Sequence, residues 1–504
     1  MDIDMHPALA VIKDGTQTYQ QKVVSLAHIG EDSISPLKID PAVQSLLDSG
    51  VICNLHEGNA PYRPRYVVPD YELFMEKGSE FLGLGAPKDI WEATNSLLIL
   101  YRHVPSITTF PVYIGDMDKL LEPFVADGKA SYQEAFKAIS LFLLQIDRTI
   151  NDSFCHADLG PESTTAGRLI LEASREQNNA VPNISLKYDP DITPDDFAIL
   201  AAATALDVAK PSFANDRIYR PEFRAMGFDD YAIASCYNGL PKGGGSCTLV
   251  RLNLAKAAEL AKSRKDFLDR LVPEIVAAQL AYMDERVRFL VDESGFFESS
   301  FLVKEGLIKK ERFSAMFGLV GLAEAVNAFS DGMRFGHDSD ADAFGLAIIE
   351  KISELVAAHK CPWLKANHGR YLLHAQVGID SDKGVSPGCR IPIGDEPELL
   401  DHIIRSSPFH KYFASGIGDV FAFEPSARNN PAHLLDVVKG AMKQGLRYMS
   451  AYSSDSDVVR ITGYLVKRSE IERLRKGEAS LQDTSLLGKN AVDGLGVLNR
   501  RVRS

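Results

Sequence analysis

The chain has 504 residues, 45% of them hydrophobic and 24% charged, with a formal net charge of −13. That is the composition of a globular protein, long enough for about three domains of roughly 150 residues or one large α/β domain. The acidic balance argues against a nucleic-acid backbone or an anionic membrane surface as partner, since both select clustered Lys and Arg.

The opening stretch, MDIDMHPALAVIKDG, has neither a basic n-region nor an apolar h-region, so it does not read as a signal peptide. No run approaches the ~18 apolar residues that span a bilayer, and a cytoplasmic protein is expected. Six scattered cysteines (Cys53, Cys155, Cys236, Cys247, Cys361, Cys389) make neither a disulfide framework nor a C-x-x-C zinc pair. No metal is expected. Gly83-Leu84-Gly85 lacks the third glycine of a dinucleotide loop.

Strand-like runs occur at 106–115 and 181–189, and again at 371–379 and 460–466. Helical spacing is read at 251–292, where Pro273 should bend or divide the run, and at 342–358 and 431–447. Residues 313–329, FSAMFGLVGLAEAVNAF, are apolar nearly all round and read as a core helix. Strands alternating with helices predict an α/β fold.

Three segments could carry chemistry. In NDSFCHADLGPE (151–162), His156 and Asp158 are acid–base or substrate-contact candidates. The plainer reading is a polar turn capping a helix near 161–175 through Ser163 or Thr164. In YAIASCYNGLPKGGGSCTLVRL (231–252), an apolar run leads to Cys236, then to Asn238 and the glycines Gly243 to Gly245. This could be an exposed thiol on a turn or a hairpin with a buried structural cysteine; Cys247 reads as packing in the returning strand. His368 and His374 are read as structural. Near the C-terminus, Arg460-Ile461-Thr462-Gly463-Tyr464 places a glycine inside a strand pattern, which by itself marks a bulge or a close backbone approach.

Taken together, the Cys236 loop and the R-[IV]-x-G-Y motif resemble the paired signature of glycyl radical enzymes. PNISLKYDP (182–190) and AMFGLVGLAEAV (315–326) are similar to further stretches of that superfamily. The S-C-Y-N-G-L-P-x-G-G-G loop most resembles the YjjI-type family. The resemblance implies a ten-stranded α/β barrel of two parallel five-stranded halves set antiparallel, helices outside, with the Cys and Gly loops meeting inside. It implies one catalytic domain over 1–504, with a Cys loop at 231–252 and a glycyl segment at 455–504.

By the same resemblance, Gly463 would carry a stored radical, and Arg460, Thr462 and Tyr464 would surround it. Cys236 would become a thiyl that takes hydrogen from a small polar substrate, in an elimination or a C–C cleavage of the lyase or acyltransferase-like kind. Asn238, His156 and Asp158 are the substrate-pocket candidates. The chain would hold no metal or nucleotide. A separate activating enzyme, with a 4Fe-4S cluster and S-adenosylmethionine, would install the radical, and a homodimer is possible by analogy. Formate acetyltransferases carry adjacent cysteines, whereas Cys236 here is flanked by Ser235 and Tyr237. Diol dehydratases carry C-x-E, and here Asn238 takes the place of that base. No cysteine lies between Cys389 and Gly463 to bind the zinc of an anaerobic ribonucleotide reductase. The alternative is a non-catalytic relative with a binding or regulatory role.

Overall fold

The computed structural model describes residues 6–55, 57–105, 112–149, 154–375 and 384–504. Among them, the first strands are β1 (Ile52–Cys53), β2 (Tyr66–Val68), β3 (His156–Leu159), β4 (Asn183–Tyr188) and β5 (Ser212–Asn215). A hairpin of β6 (Tyr231–Ala234) and β7 (Asn238–Pro241) leads into the long β8 (Gly244–Asn253). β9 (Phe313–Val320), β10 (Leu372–Ala375), β11 (Asp419–Phe423) and β12 (Tyr448–Ser453) follow. A second hairpin, β13 (Val458–Arg460) and β14 (Leu465–Lys467), precedes the terminal β15 (Val502–Arg503).

β3, β4 and β5 run parallel, as do β8, β9 and β10, and as do β11 and β12. Segment 112–116 joins β3 through the Ile114 amide donating to the His156 carbonyl at 2.9 Å. The Ala375 amide donates to the Gly416 carbonyl at 2.9 Å, linking β10 to the chain entering β11. Two antiparallel seams, β2 against β8 and β5 against β12, divide these ten segments into two sets of five. This is the α/β architecture that the resemblance implies. Parallel neighbours need crossovers, and helices supply them: Thr165–Gln177, Asp195–Val208, Val272–Asp292, Ser339–Ala358 and Pro431–Lys443.

Every residue of β4, β8 and β9 is buried. A strand covered on both faces reads as an unbroken apolar run, which explains the main correction. Residues 313–329 are β9 followed by the short helix Leu322–Ala328, with Gly321 at φ +79 making the turn between them. Residues 251–253 finish β8 rather than opening a helix. Pro273 lies just after the π-helical turn Phe267–Leu271, which separates Val272–Asp292 from the short helix Arg264–Asp266, so the run is divided next to it as expected. Residues 460–466 fold as a hairpin turn, not one strand. His156 and Asp158 lie on β3 rather than in a polar turn. The Thr164 hydroxyl caps the next helix, accepting from the Gly167 amide at 2.9 Å. Residues 106–111, 151–153 and 376–379 of the strand and polar readings fall outside the described residues. Among the described residues, no helix is long and apolar enough to cross a membrane.

Candidate active site

Cys236 sits in the turn of the β6–β7 hairpin, whose register pairs Ala234 with Asn238. The turn is tight. Ser235 adopts φ +62, a region most side chains avoid. The Cys236 amide donates to the Ala234 carbonyl at 2.7 Å. Asn238 Nδ2 donates to the same carbonyl at 2.8 Å, while its Oδ1 is buried without a partner. From the side, the Ser235 amide donates to the Val112 carbonyl at 3.2 Å.

A buried charge cluster holds the base of this hairpin. Lys187 Nζ donates to the Tyr231 carbonyl at 2.6 Å and to Asp116 at 2.8 Å. Asp158 Oδ2 accepts from the Ile233 amide at 2.8 Å. Lys242 bridges Asp116, Asp230 and Glu72. Burial holds the Asp158 carboxyl above its ordinary range, with Asp116 adding and Lys187 opposing. Against the cost of burial, Lys187 and Lys242 keep Asp116 far below that range. Asp158 thus braces the Cys236 strand through the Ile233 amide.

Gly463 sits in the turn of the β13–β14 hairpin, closed by the Ile461 amide donating to the Tyr464 carbonyl at 3.0 Å. The Gly463 carbonyl accepts from Asn183 Nδ2 at 3.0 Å and from Arg460 Nη1 at 3.4 Å. Arg460 Nη2 donates to Asn183 Oδ1 at 2.9 Å and to the Ala209 carbonyl at 2.8 Å. The C-terminal segment closes over the turn. Arg500 donates to the Arg460 carbonyl at 2.7 Å and also to the Ile461 carbonyl. Tyr464 packs on Phe154 with centroids 5.1 Å apart, and Thr462 is buried with its hydroxyl unpartnered.

The two turns touch. A Cβ built on Gly463 would lie 2.1 Å from Cys236 Cβ and 2.8 Å from Sγ. A C–C bond of about 1.5 Å therefore bounds the sulfur within about 4.3 Å of the Gly463 Cα. Gly463 does not have a positive φ, so space rather than backbone conformation demands glycine here. Burial pushes the Cys236 thiol up to about 11, against the Ser235 hydroxyl and the cations Arg65, Arg460 and Arg390. The sulfur therefore keeps its hydrogen at neutral pH. That suits hydrogen-atom transfer and disfavours nucleophilic attack.

His156 is fully buried, and its Nε2 lies 2.8 Å from Ser185 Oγ. Ser185 Oγ is 2.9 Å from the Tyr448 hydroxyl, which donates to the Cys236 carbonyl at 3.3 Å. Burial, with Arg460 adding, lowers His156 to about 3, so the ring is neutral, and its Nδ1 has no hydrogen-bond partner. Cys247 is buried in β8. His368 is exposed, and His374 stacks on Tyr237 at 5.6 Å. Asn183, Arg390 and Arg500 were not singled out in the sequence. Only Asn183 lies in a stretch that carries the resemblance. Among the described residues, no group of three or more His, Cys, Asp or Glu could hold a metal.

The model of a family described as "Glycyl radical enzyme YjjI-like" matches residues 17–503. A protein of Haemophilus influenzae Rd is 45% identical to this chain, covering 98% of it and 97% of its own length. The YjjI protein of Escherichia coli K12 is 42% identical over 96% of this chain and 93% of its own. Among solved structures, one from Roseburia inulinivorans described for 1,2-propanediol dehydration superposes with a TM-score of 0.70 at 10% identity. It covers 98% of this chain and 88% of that one.

Proposed function

The chain belongs to the YjjI-like glycyl radical enzyme family, and on that premise we propose that it is a radical enzyme of anaerobic metabolism. In this reading, Gly463 stores the radical and Cys236 relays it to a small polar substrate in an elimination or C–C cleavage. The observation that carries the reading is the contact between Gly463 and Cys236.

A glycyl Cα radical lies flat and is shared with the flanking amide nitrogen and carbonyl. Asn183 and Arg460 both donate to that carbonyl, which supports delocalisation toward the oxygen. The relay balances in two transfers. First the Cys236 S–H bond breaks as the Gly463 Cα–H bond forms, leaving a thiyl. Then a substrate C–H bond breaks as the S–H bond re-forms, leaving the radical on substrate carbon. The reverse transfers restore Gly463 after the rearranged substrate takes its hydrogen back. Burial of both turns keeps water from the intermediates. Asn238 Oδ1 and His156 Nδ1, both unpartnered, are the polar contacts offered for substrate.

Radical installation requires the external activating enzyme, which supplies the iron–sulfur cluster and S-adenosylmethionine in an anaerobic cytoplasm. For it to reach Gly463, the Arg500 contacts must release. The test is an anaerobic electron paramagnetic resonance spectrum after incubation with an activase, followed by mass analysis in air. A doublet, and a backbone break at Gly463, is the expected result. Absence of both, with an activase proven active on its own substrate and shown to bind this chain, would leave a non-catalytic relative.

A further inference from the structure

The charges felt most strongly by the Cys236 thiol belong to three guanidiniums: Arg65, Arg460 and Arg390. Arg65 has a counter-ion, Glu57, at 3.0 Å. Arg460 has no carboxylate within 4.0 Å among the described residues, and both its terminal nitrogens are spent on the Gly463 turn and its supports. Arg390 is different. Its Nε donates to the Gly418 carbonyl at 2.5 Å, and its guanidinium carbon lies 5.4 Å from the Tyr237 ring centroid, next in sequence to the cysteine. Arg390 is half-buried, and its Nη1 is buried with no hydrogen-bond partner among the described residues. The carboxylate beside Gly418, Asp419, instead faces His410 at 3.0 Å and His402 at 3.4 Å.

A guanidinium presents a planar fork that matches carboxylate and phosphate. A buried Nη1 left unmatched, on a half-buried guanidinium beside Arg460, which has no carboxylate partner among the described residues, is unfavourable. We propose that the substrate carries an anionic group, a carboxylate or a phosphate, that binds Arg390 and sets its reacting carbon near Cys236. This rests on the radical-enzyme reading and adds the substrate class to it. Arg390 is then a binding residue: it holds the charged end while Asn238 and His156 remain for the polar end.

The test uses the full unactivated chain and neutral–anionic pairs at matched ionic strength: acetamide and acetate, lactamide and lactate, glycerol and glycerol 3-phosphate. Thermal unfolding midpoints are followed across each titration. At least one anion should raise the midpoint saturably where its neutral mate does not. Arg390→Gln should weaken that response at least tenfold, and Arg390→Lys should retain part of it, which guards against a folding defect in the first variant. A response to lactate or acetate alone selects a carboxylate, and one to glycerol 3-phosphate alone selects a phosphate. Wild type that responds alike to both members of every pair overturns the proposal, as does an Arg390→Gln protein with an undiminished anion response. Radical loading is read by electron paramagnetic resonance on the same preparations. Wild type that carries the radical but ignores anions rejects the substrate class alone. Wild type that answers to anions but never carries the radical overturns the substrate reading and leaves an anion-binding protein.

Discussion

Gly463→Ala isolates the packing part of the site from the radical chemistry proposed for it. The new Cβ would stand 2.1 Å from Cys236 Cβ and 3.0 Å from its Cα. Carbon atoms pack at about 3.5–4.0 Å, so the turns must part by roughly 1.4 Å or more. Overpacking of this kind costs about 1–3 kcal/mol. The denaturation midpoint of the unactivated protein should therefore fall before any radical is installed. Cys236→Ala keeps the offending Cβ and should not rescue Gly463→Ala. Cys236→Gly removes the Cβ and should recover most of the loss, giving a favourable coupling of about 1–2 kcal/mol in a double-mutant cycle. A Gly463→Ala chain as stable as wild type, or one rescued by Cys236→Ala and not by Cys236→Gly, would refute the contact geometry.

Other outcomes follow from the same contacts. Cys236→Ser should accept the radical at Gly463 yet give no turnover, since a hydroxyl O–H is too strong to be broken by the glycyl radical; turnover by this variant would remove Cys236 from the relay. Asn238→Ala loses the bond to the Ala234 carbonyl, worth about 1 kcal/mol. It should lower turnover while the doublet remains, and loss of the doublet would make the residue purely structural. Arg500→Ala removes the donors to the Arg460 and Ile461 carbonyls. At about 2 kcal/mol for charged hydrogen bonds, hydrogen exchange at the Ile461 amide should quicken roughly thirtyfold, with faster radical loading; unchanged exchange would show that the tail does not restrain the turn. Burial raises Asp483 from 3.8 to about 6, against the hydrogen bond from Gln21 at 2.7 Å. Between those values the folded chain binds the extra proton, so this carboxyl's contribution to stability falls as pH climbs from about 4 to about 6. Asp483→Asn should flatten that fall and raise the melting midpoint at pH 7, and an unchanged pH profile would contradict the assignment.

The sequence exposed the elements whose signal is local. Residues 183–188 and 372–375 are strands where β-branched or apolar runs stood between breakers. The helices Ser339–Ala358 and Pro431–Lys443 carry the 3.6-residue spacing that predicted them. β9 was lost to a helix because a strand buried on both faces has no alternation to reveal it. The two turns were visible as motifs, but not their contact, which depends on two hairpins brought together by the sheets around them. Arg390 had no local signature. Its interest comes from what it lacks in space among the described residues, a carboxylate partner, and no linear pattern reports that.

The protonated thiol has a bearing on survival outside anaerobic conditions. Peroxide and disulfide exchange act through the thiolate and need access to sulfur. Cys236 offers little of either, being 5% exposed and holding its proton to about 11. Before it is charged, the chain should therefore be a durable stock, indifferent to aeration at its central cysteine. On the proposed reading, vulnerability would arrive with the radical and be confined to the molecules that carry it. A cell could keep the polypeptide through an oxygenated interval and commit only what it activates afterwards, so the activase, rather than synthesis, would set how much is placed at risk.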